Sequence, residues 1–280
     1  MRNIRLIALD LDGTLLDPDK KLSEENRKAL QRAADEGVCI VPATGRFYRG
    51  MPQIIRDLPY VRYVISVNGA EVYDVMRQTT ICRSEIPWER AVAVMERLDE
   101  MPVIYDCYQN GWGWMTKELY DQAPFYAANV HSLDMILRLR TPVPELKALL
   151  KERASGVQKI QIFFKDMEKR AEALKALPGE FPDLVVTTSI VNNVEINSRQ
   201  ATKGNALKKL AEYLDIPMDG TMAFGDDLND ITMLKEAGIG VAMGNAEEKV
   251  KKAANYVTDD CAMSGVARAM NHFLWEKNNE

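Results

Sequence analysis

Four short stretches carry residue types that could do chemistry together: Asp10-x-Asp12-Gly13-Thr14, Thr44-Gly45-Arg46, Lys203-Gly204 and Gly225-Asp226-Asp227-x-x-Asp230. Each alone has a structural explanation. Thr44-Gly45 suits a turn with a helix cap. Lys203 precedes Lys208 and Lys209 on what reads as a solvated helix face. The acids at 226–230 suit a helix start favoured by its dipole. Their co-occurrence points instead to a shared phosphate-and-metal site. Asp10, with a reference pKa of about 3.9, is ionised at neutral pH and needs no base to become a nucleophile. Its attack on phosphorus would give an aspartyl-phosphate, splitting one hard step into two.

Acids so close would repel one another and an anionic substrate unless a cation joined them. Magnesium suits them as a hard ion that takes oxygen ligands and keeps several waters. Its expected ligands are the Asp10 side chain, the Asp12 backbone carbonyl and Asp226, with Asp230 or Asp227 acting directly or through water. Lys203 and Thr44, with backbone amides near Gly13 and Gly45, would hold the transferring oxygens. Arg46 either aids phosphate binding or pairs with a nearby acid.

The elements that must position these groups follow from the apolar pattern. Leu6, Ile7, Ala8 and Leu9 suit a strand buried on both faces, as in parallel sheets. Ligands of open α/β sheets bind outside the carboxyl ends of such strands, where Asp10 stands. Gly13 permits a sharp turn. Ser23 opens and Gly37 closes a crossover helix, Val38–Pro42 forms a second strand, and a helix runs from "ATGR" toward Pro59. Tyr63–Val67 reads as a third strand ended by Asn68-Gly69, and a hairpin of Glu71–Tyr73 with Thr80–Cys82 follows. From Thr202 the alternation returns with a helix to Leu214, a strand Thr221–Phe224 and the "GDDLND" loop.

Between these halves the texture changes. Pro87 opens an amphipathic helix to Leu98, and Asn110-Gly111 is a two-residue hairpin signal. Residues 144–153 and 167–177 read as helices, and 157–164, 184–188 and 194–196 as strands. The expected fold class is α/β: a doubly wound, parallel-sheet, Rossmann-like core of residues 1–83 and 198–280, with an inserted α+β cap domain over 84–197. An insertion at that place is expected over the mouth of the site, excluding water and choosing the leaving group.

The 280 residues are enough for two domains, and a net charge of -5 with interspersed signs offers no basic stripe for nucleic acid. Cys39, Cys82, Cys107 and Cys261 are widely separated with no Cys-x-x-Cys pair, which suits reduced cysteines of a cytoplasmic protein. The apolar start is cut by Asp10 and is too short for a signal peptide, and no run approaches a membrane span. His131 and His272 are the two histidines, so acid-base work falls to carboxylates. No internal repeat is present, and oligomeric state is not legible.

Taken with "SVNGA", "TKGNALKKLA", "FGDDLNDITML", "GVAMGNA" and "SGVA", the "DLDGTLL" and "ATGR" stretches make the chain resemble the haloacid dehalogenase-like phosphatase superfamily, in its Cof-type branch. The resemblance runs almost end to end, whereas the insertion matches in size and position alone. It implies that Asp12 protonates the leaving alkoxide and then deprotonates the attacking water. It implies a sugar phosphate or another small phosphorylated metabolite as substrate. Asn229 resembles a phosphate-contacting position, or its amide simply helps the loop turn. Asn68 makes the Asn-Gly turn, and the resemblance adds a site-facing role. Magnesium-dependent phosphatase is the leading expectation; a phosphohexomutase of a related branch and a phosphate-sensing module without turnover are the alternatives. The insertion's aromatics, among them Trp112 and Trp114 on one face of the hairpin, suit core packing better than sugar stacking.

Overall fold

A computed structural model describes residues 3–276. The described chain packs as two compact units: one holds the residues up to Arg46, Met51–Arg83 and the chain from Ala201 onward, and the other holds Phe47–Gly50 and Ser84–Gln200.

In the first unit, Leu6–Leu9, Cys39–Pro42, Thr221–Gly225, Ile239–Ala242 and Tyr256–Val257 form one parallel sheet. Leu6–Leu9 lies between Cys39–Pro42 and Thr221–Gly225, and its four residues are fully buried. Burial on both faces explains why it reads as a continuous apolar run. The helix Lys203–Tyr213 turns Ala206, Leu207, Leu210 and Ala211 into the same core as Leu6, Ala8 and Val41. Glu24–Asp35 is a helix capped by Ser23, whose hydroxyl accepts from the Asn26 N–H. The stretch read as a third parallel strand behaves differently: Tyr63–Ser66 heads an antiparallel sheet with Glu71–Asp74 and Thr79–Arg83. It meets the parallel sheet through a single bridge, Ala43 to Ile65, because the chain turns away at Thr44. The helix expected toward Pro59 is reduced to a turn at Tyr48–Gly50 and a short helix Gln53–Arg56, divided at Pro52. Proline removes the N–H that a continuous helix would need.

The second unit is built on a six-stranded sheet in the order Leu184–Thr187, Asn193–Ser198, Lys159–Phe164, Val103–Gln109, Trp112–Thr116, Arg140–Val143. One face carries Val103, Tyr105, Cys107, Ile160, Ile162 and Phe164 into a core shared with the helices Trp88–Leu98, Leu146–Arg153 and Met167–Glu180. On the other face Ile104, Met115 and Phe163 pack with Ala123 and Ile136. That face also holds two buried ion pairs, Arg140–Asp106 and Lys159–Glu195, each at 2.8 Å. Asn110 and Gly111 both have positive φ, as the two-residue hairpin requires. Three helices, Lys117–Asp121, Ala123–Tyr126 and Val130–Leu139, and the strand Arg140–Val143 occupy a stretch whose sequence pattern assigns no element.

Candidate active site

Asp10 leaves the sheet with its backbone N–H still on the Phe224 carbonyl at 3.0 Å, so the ladder between neighbouring strands fixes where its side chain starts. The side chain is nearly buried and its Oδ1 accepts from Lys203 Nζ at 2.6 Å. Lys203 is the first residue of its helix, behind the Thr202 cap, and is fully buried. Its ammonium also donates to Asp230 Oδ1 at 2.6 Å. The other oxygen of Asp230 accepts the N–H groups of Asp226 and Asp227, at 2.9 and 3.0 Å. Asp230 therefore shapes the loop that carries Asp226 as well as holding the lysine.

Asp226 Oδ1 accepts from the Thr14 hydroxyl at 2.6 Å, which ties the loop after the third parallel strand to the turn after the first. Gly13 makes this approach possible: its φ is +88°, and a Cβ there would run into the Asp226 carboxylate. Oxygens of Asp10, Asp226 and Asp230 lie within 4.8 Å of one another, a grouping able to hold a metal ion. Burial pushes Asp10 up, Lys203 pulls it down, and Asp230 and Asp226 push it up again, leaving it at about 8. Asp226 is raised to about 6, chiefly by burial and further by Asp230 and Asp227, against the Thr14 hydrogen bond. Lys203 is held above the ordinary lysine range because Asp10 and Asp230 outweigh the effect of burial. Three carboxylates around one ammonium leave excess negative charge, and the all-oxygen donor set fits a hard divalent cation.

Asp12 faces other partners. Its Oδ2 accepts from Arg46 Nε at 3.0 Å, and its Oδ1 from Arg46 Nη2 at 3.2 Å and Lys20 Nζ at 2.8 Å. Burial pushes its pKa up, but hydrogen bonds from Lys20 and Arg46 prevail and hold it below the usual carboxylate range. Of the two readings of Arg46, the structure displays the ion pair. Thr44 is buried, its hydroxyl accepts the Arg46 N–H at 3.2 Å, and its carbonyl accepts the Asn68 N–H at 3.0 Å. The Asn68 amide lies against Gly45 and accepts from Asn229 Nδ2 at 3.1 Å. Asp227 turns away to cap Leu228 at 2.7 Å.

The sequence reading passed over Asn245. Its Nδ2 donates to the Gly13 carbonyl at 2.8 Å, and its Oδ1 accepts the Cys261 N–H at 3.0 Å, bracing the turn after Asp12 from a third loop. A signal was present, because Asn245 follows the strand Ile239–Ala242 at the same end of the sheet as Asp10 and Asp226.

A strand-end carboxylate on a buried lysine, beside an acidic cluster and a hydroxyl-bearing turn, defines a phosphate-handling α/β enzyme. The family model of haloacid dehalogenase-like hydrolases matches residues 7–270. The chain belongs to this family, in its Cof-type phosphatase branch. It is 34% identical to the 5-amino-6-(5-phospho-D-ribitylamino)uracil phosphatase YcsE of Bacillus subtilis, over 97% of this chain and 96% of that one. It is 31% identical to the pyridoxal phosphate phosphatase YbhA of Escherichia coli, over 94% and 96%. A solved haloacid dehalogenase-like hydrolase from B. subtilis superimposes with a TM-score of 0.78 at 32% identity, covering 97% of this chain and all of that one. The chain is a hydrolase of phosphoric monoesters.

Proposed function

We propose that the enzyme is a magnesium-dependent phosphatase of small phosphorylated metabolites, sugar phosphates or related compounds, working through an aspartyl-phosphate on Asp10. The observation that carries this reading is the Asp10 carboxylate itself, seated at a strand end with Oδ1 on Lys203 at 2.6 Å and Oδ2 left for attack. Asp10 Oδ2 forms a bond to phosphorus as the bond to the leaving oxygen breaks, and Asp12, after exchanging its contacts with Lys20 and Arg46 for a proton from water, gives that oxygen the proton. Asp12 then takes a proton from water, whose oxygen bonds to phosphorus and releases Asp10. Lys203, Thr44 and the amides near Gly13 and Gly45 bind and orient the phosphoryl oxygens, with Asn68 and Asn229 beside them and Arg46 on Asp12. Asp10, the Asp12 carbonyl and Asp226 hold the cation, with Asp230 behind them. When bound, a divalent cation supplies positive charge that keeps these carboxylates ionised and draws phosphoryl oxygens in.

The inserted unit, which takes in Phe47–Gly50 and Ser84–Gln200 where the sequence pattern marks 84–197, selects among leaving groups. Four unpaired cysteines suit a reducing compartment, the cytoplasm. No helix among the described residues is long and apolar enough to cross a membrane. The test is a phosphate-release screen over a metabolite panel that includes the two compounds named by the relatives, with and without magnesium. Inorganic phosphate is the expected main product, with no need for a sugar bisphosphate primer. An isomerised phosphosugar dominating over free phosphate would overturn the hydrolytic reading in favour of a mutase.

A further inference from the structure

We infer that Asn245 is a positioning residue of the metal site: its side-chain amide holds the Gly13 turn in place against the Asp226 carboxylate and so sets how tightly a divalent cation binds. This rests on the cation site proposed for Asp10, the Asp12 carbonyl and Asp226. The turn needs a glycine, because the Asp226 carboxylate lies where a side chain at position 13 would begin. Glycine also restrains its own backbone least. The Asp12 carbonyl shares a rigid peptide plane with the Gly13 nitrogen, so rotation at Gly13 moves one proposed ligand oxygen relative to the next. Something beyond the turn must therefore fix it.

Asn245 does this with both ends of its amide. Oδ1 accepts the Cys261 N–H at 3.0 Å, which sets the amide plane, and Nδ2 donates to the Gly13 carbonyl at 2.8 Å. The same nitrogen, which carries two hydrogens, lies 3.5 Å from Asp226 Oδ2. Thr14 holds the other oxygen of Asp226, Oδ1, at 2.6 Å. A carboxylate tied at one oxygen can still swing about that tie, and a contact at the second oxygen restricts the swing. Each oxygen keeps a lone pair for a cation. The loop that carries Asn245 hangs from the strand that carries Asp226: the Met243 N–H donates to the Gly225 carbonyl at 3.0 Å, and the Gly244 N–H to the Asp259 carbonyl at 3.1 Å. Asn245 is thus a fixed reference for Gly13 and does not move with it. Its side chain is exposed, so water competes for both hydrogen bonds and they add little to stability. Water can satisfy the Gly13 carbonyl but cannot hold it at a set place. Partners just outside a ligand set change metal affinity by about 10–100-fold when removed.

Asn245→Ala removes both bonds at an exposed position, so the fold should survive. The probe is Mn2+, which takes the same oxygen ligands as magnesium and whose free ion is counted by electron paramagnetic resonance. Titrated into the full-length, chelator-stripped protein, it should bind the variant about tenfold more weakly than the parent. The thermal midpoint in chelator should stay within about 3 °C of the parent. Release of phosphate from p-nitrophenyl phosphate should fall at low Mn2+ and recover at saturating Mn2+. A dissociation constant within about twofold of the parent overturns the inference. So does a weaker affinity that comes with a collapsed thermal midpoint, which would make Asn245 a stability residue. A rate that stays low once Mn2+ saturates overturns it as well, by assigning the amide to the phosphoryl group. A parent protein that takes up no Mn2+ sinks the cation site itself, whereas equal uptake by parent and variant sinks only the role of Asn245.

Discussion

Asp10 and Asp230 are both buried acids on the same ammonium, yet their replacement by asparagine should have opposite consequences. Asp230 accepts from Lys203 and from two backbone N–H groups, so an amide there must turn its NH2 toward a donor. Asp230→Asn should cost about 2–4 kcal/mol of stability, as loss of a buried, charged hydrogen-bond acceptor does. Urea unfolding measures this, and an unchanged midpoint would show that the loop does not depend on Asp230. Asp10→Asn should abolish turnover while preserving the fold, because an amide cannot form the aspartyl-phosphate; turnover within about tenfold of the parent would remove Asp10 as nucleophile.

The sign of its stability effect follows from the raised pKa of Asp10, about 8 without a cation. Between the ordinary carboxylate range and pH 8 the folded state binds more protons at this position than the unfolded chain, so the parent loses stability as pH rises through that window. In chelator, the thermal midpoint of Asp10→Asn relative to the parent should therefore climb from pH 5 to pH 8. Magnesium should narrow that gap by stabilising the ionised parent. A gap independent of pH would show that Asp10 carries no such shift. The groups whose spacing announces them, Asp10, Lys203, Asp226 and Asp230, are the ones the fold gathers. Asn245 and Lys20 carry no period of their own, as single polar residues in loops; what marks Asn245 is its place after the strand Ile239–Ala242. Their partners lie 232 and 8 positions away along the chain, at Gly13 and Asp12.

At the scale of elements, legibility follows length and burial. Leu6–Leu9 and Lys203–Tyr213 were readable because buried strands and amphipathic helices repeat their pattern. Lys117–Asp121 and Ala123–Tyr126 are only five and four residues long, too short for a helical period to emerge. Val130–Leu139 did carry a signal, the Asn129–Ser132 capping box, without the usual glutamate or glutamine. The hairpin that Asn110-Gly111 announced separates its two tryptophans. Trp114 packs on the larger core of its unit, donates Nε1 to the Gln109 carbonyl at 3.2 Å and lies under Arg153. Trp112 is 40% exposed, with the Arg49 guanidinium 4.0 Å from its ring. Packing thus accounts for Trp114 and leaves Trp112 as a surface stack. Trp114→Ala should lose about 2–3 kcal/mol, somewhat less than a fully buried aromatic. Trp112→Ala should lose no more than about 1 kcal/mol. Thermal unfolding of both, with the Michaelis constant for the best substrate, separates packing from recognition. A neutral Trp114→Ala with a raised Michaelis constant would assign that ring to the ligand.

At the scale of the whole molecule, each unit carries a hydrophobic core of its own. Leu6, Ala8, Val41 and the residues of Lys203–Tyr213 belong to one, while Val103, Ile160, Phe164 and the helix Trp88–Leu98 belong to another. The groups proposed for catalysis all come from the first unit: Asp10, Asp12, Thr44, Lys203 and Asp226. One short segment breaks this division. Phe47–Gly50 directly follows Arg46 in the chain but packs with the second unit, where Phe47 meets Tyr108 edge-on at 5.1 Å. No sequence pattern shows this, because a residue's preference for a distant partner leaves no local period. It shapes the excision experiment: joining Arg83 to Ala201 through a short flexible linker removes the partners of Phe47 and leaves an aromatic ring uncovered. Phe47→Ser in the same protein should restore solubility without touching Asp12 or Arg46. The resulting protein should fold and turn over p-nitrophenyl phosphate in magnesium, since an aryl leaving group asks little of water exclusion or of Asp12. It should lose most of its rate and its selectivity toward metabolites, which the removed unit is proposed to choose. Circular dichroism and phosphate release check the two halves of this expectation. A folded excised protein that ranks metabolites as the parent does would show that selection resides in the first unit.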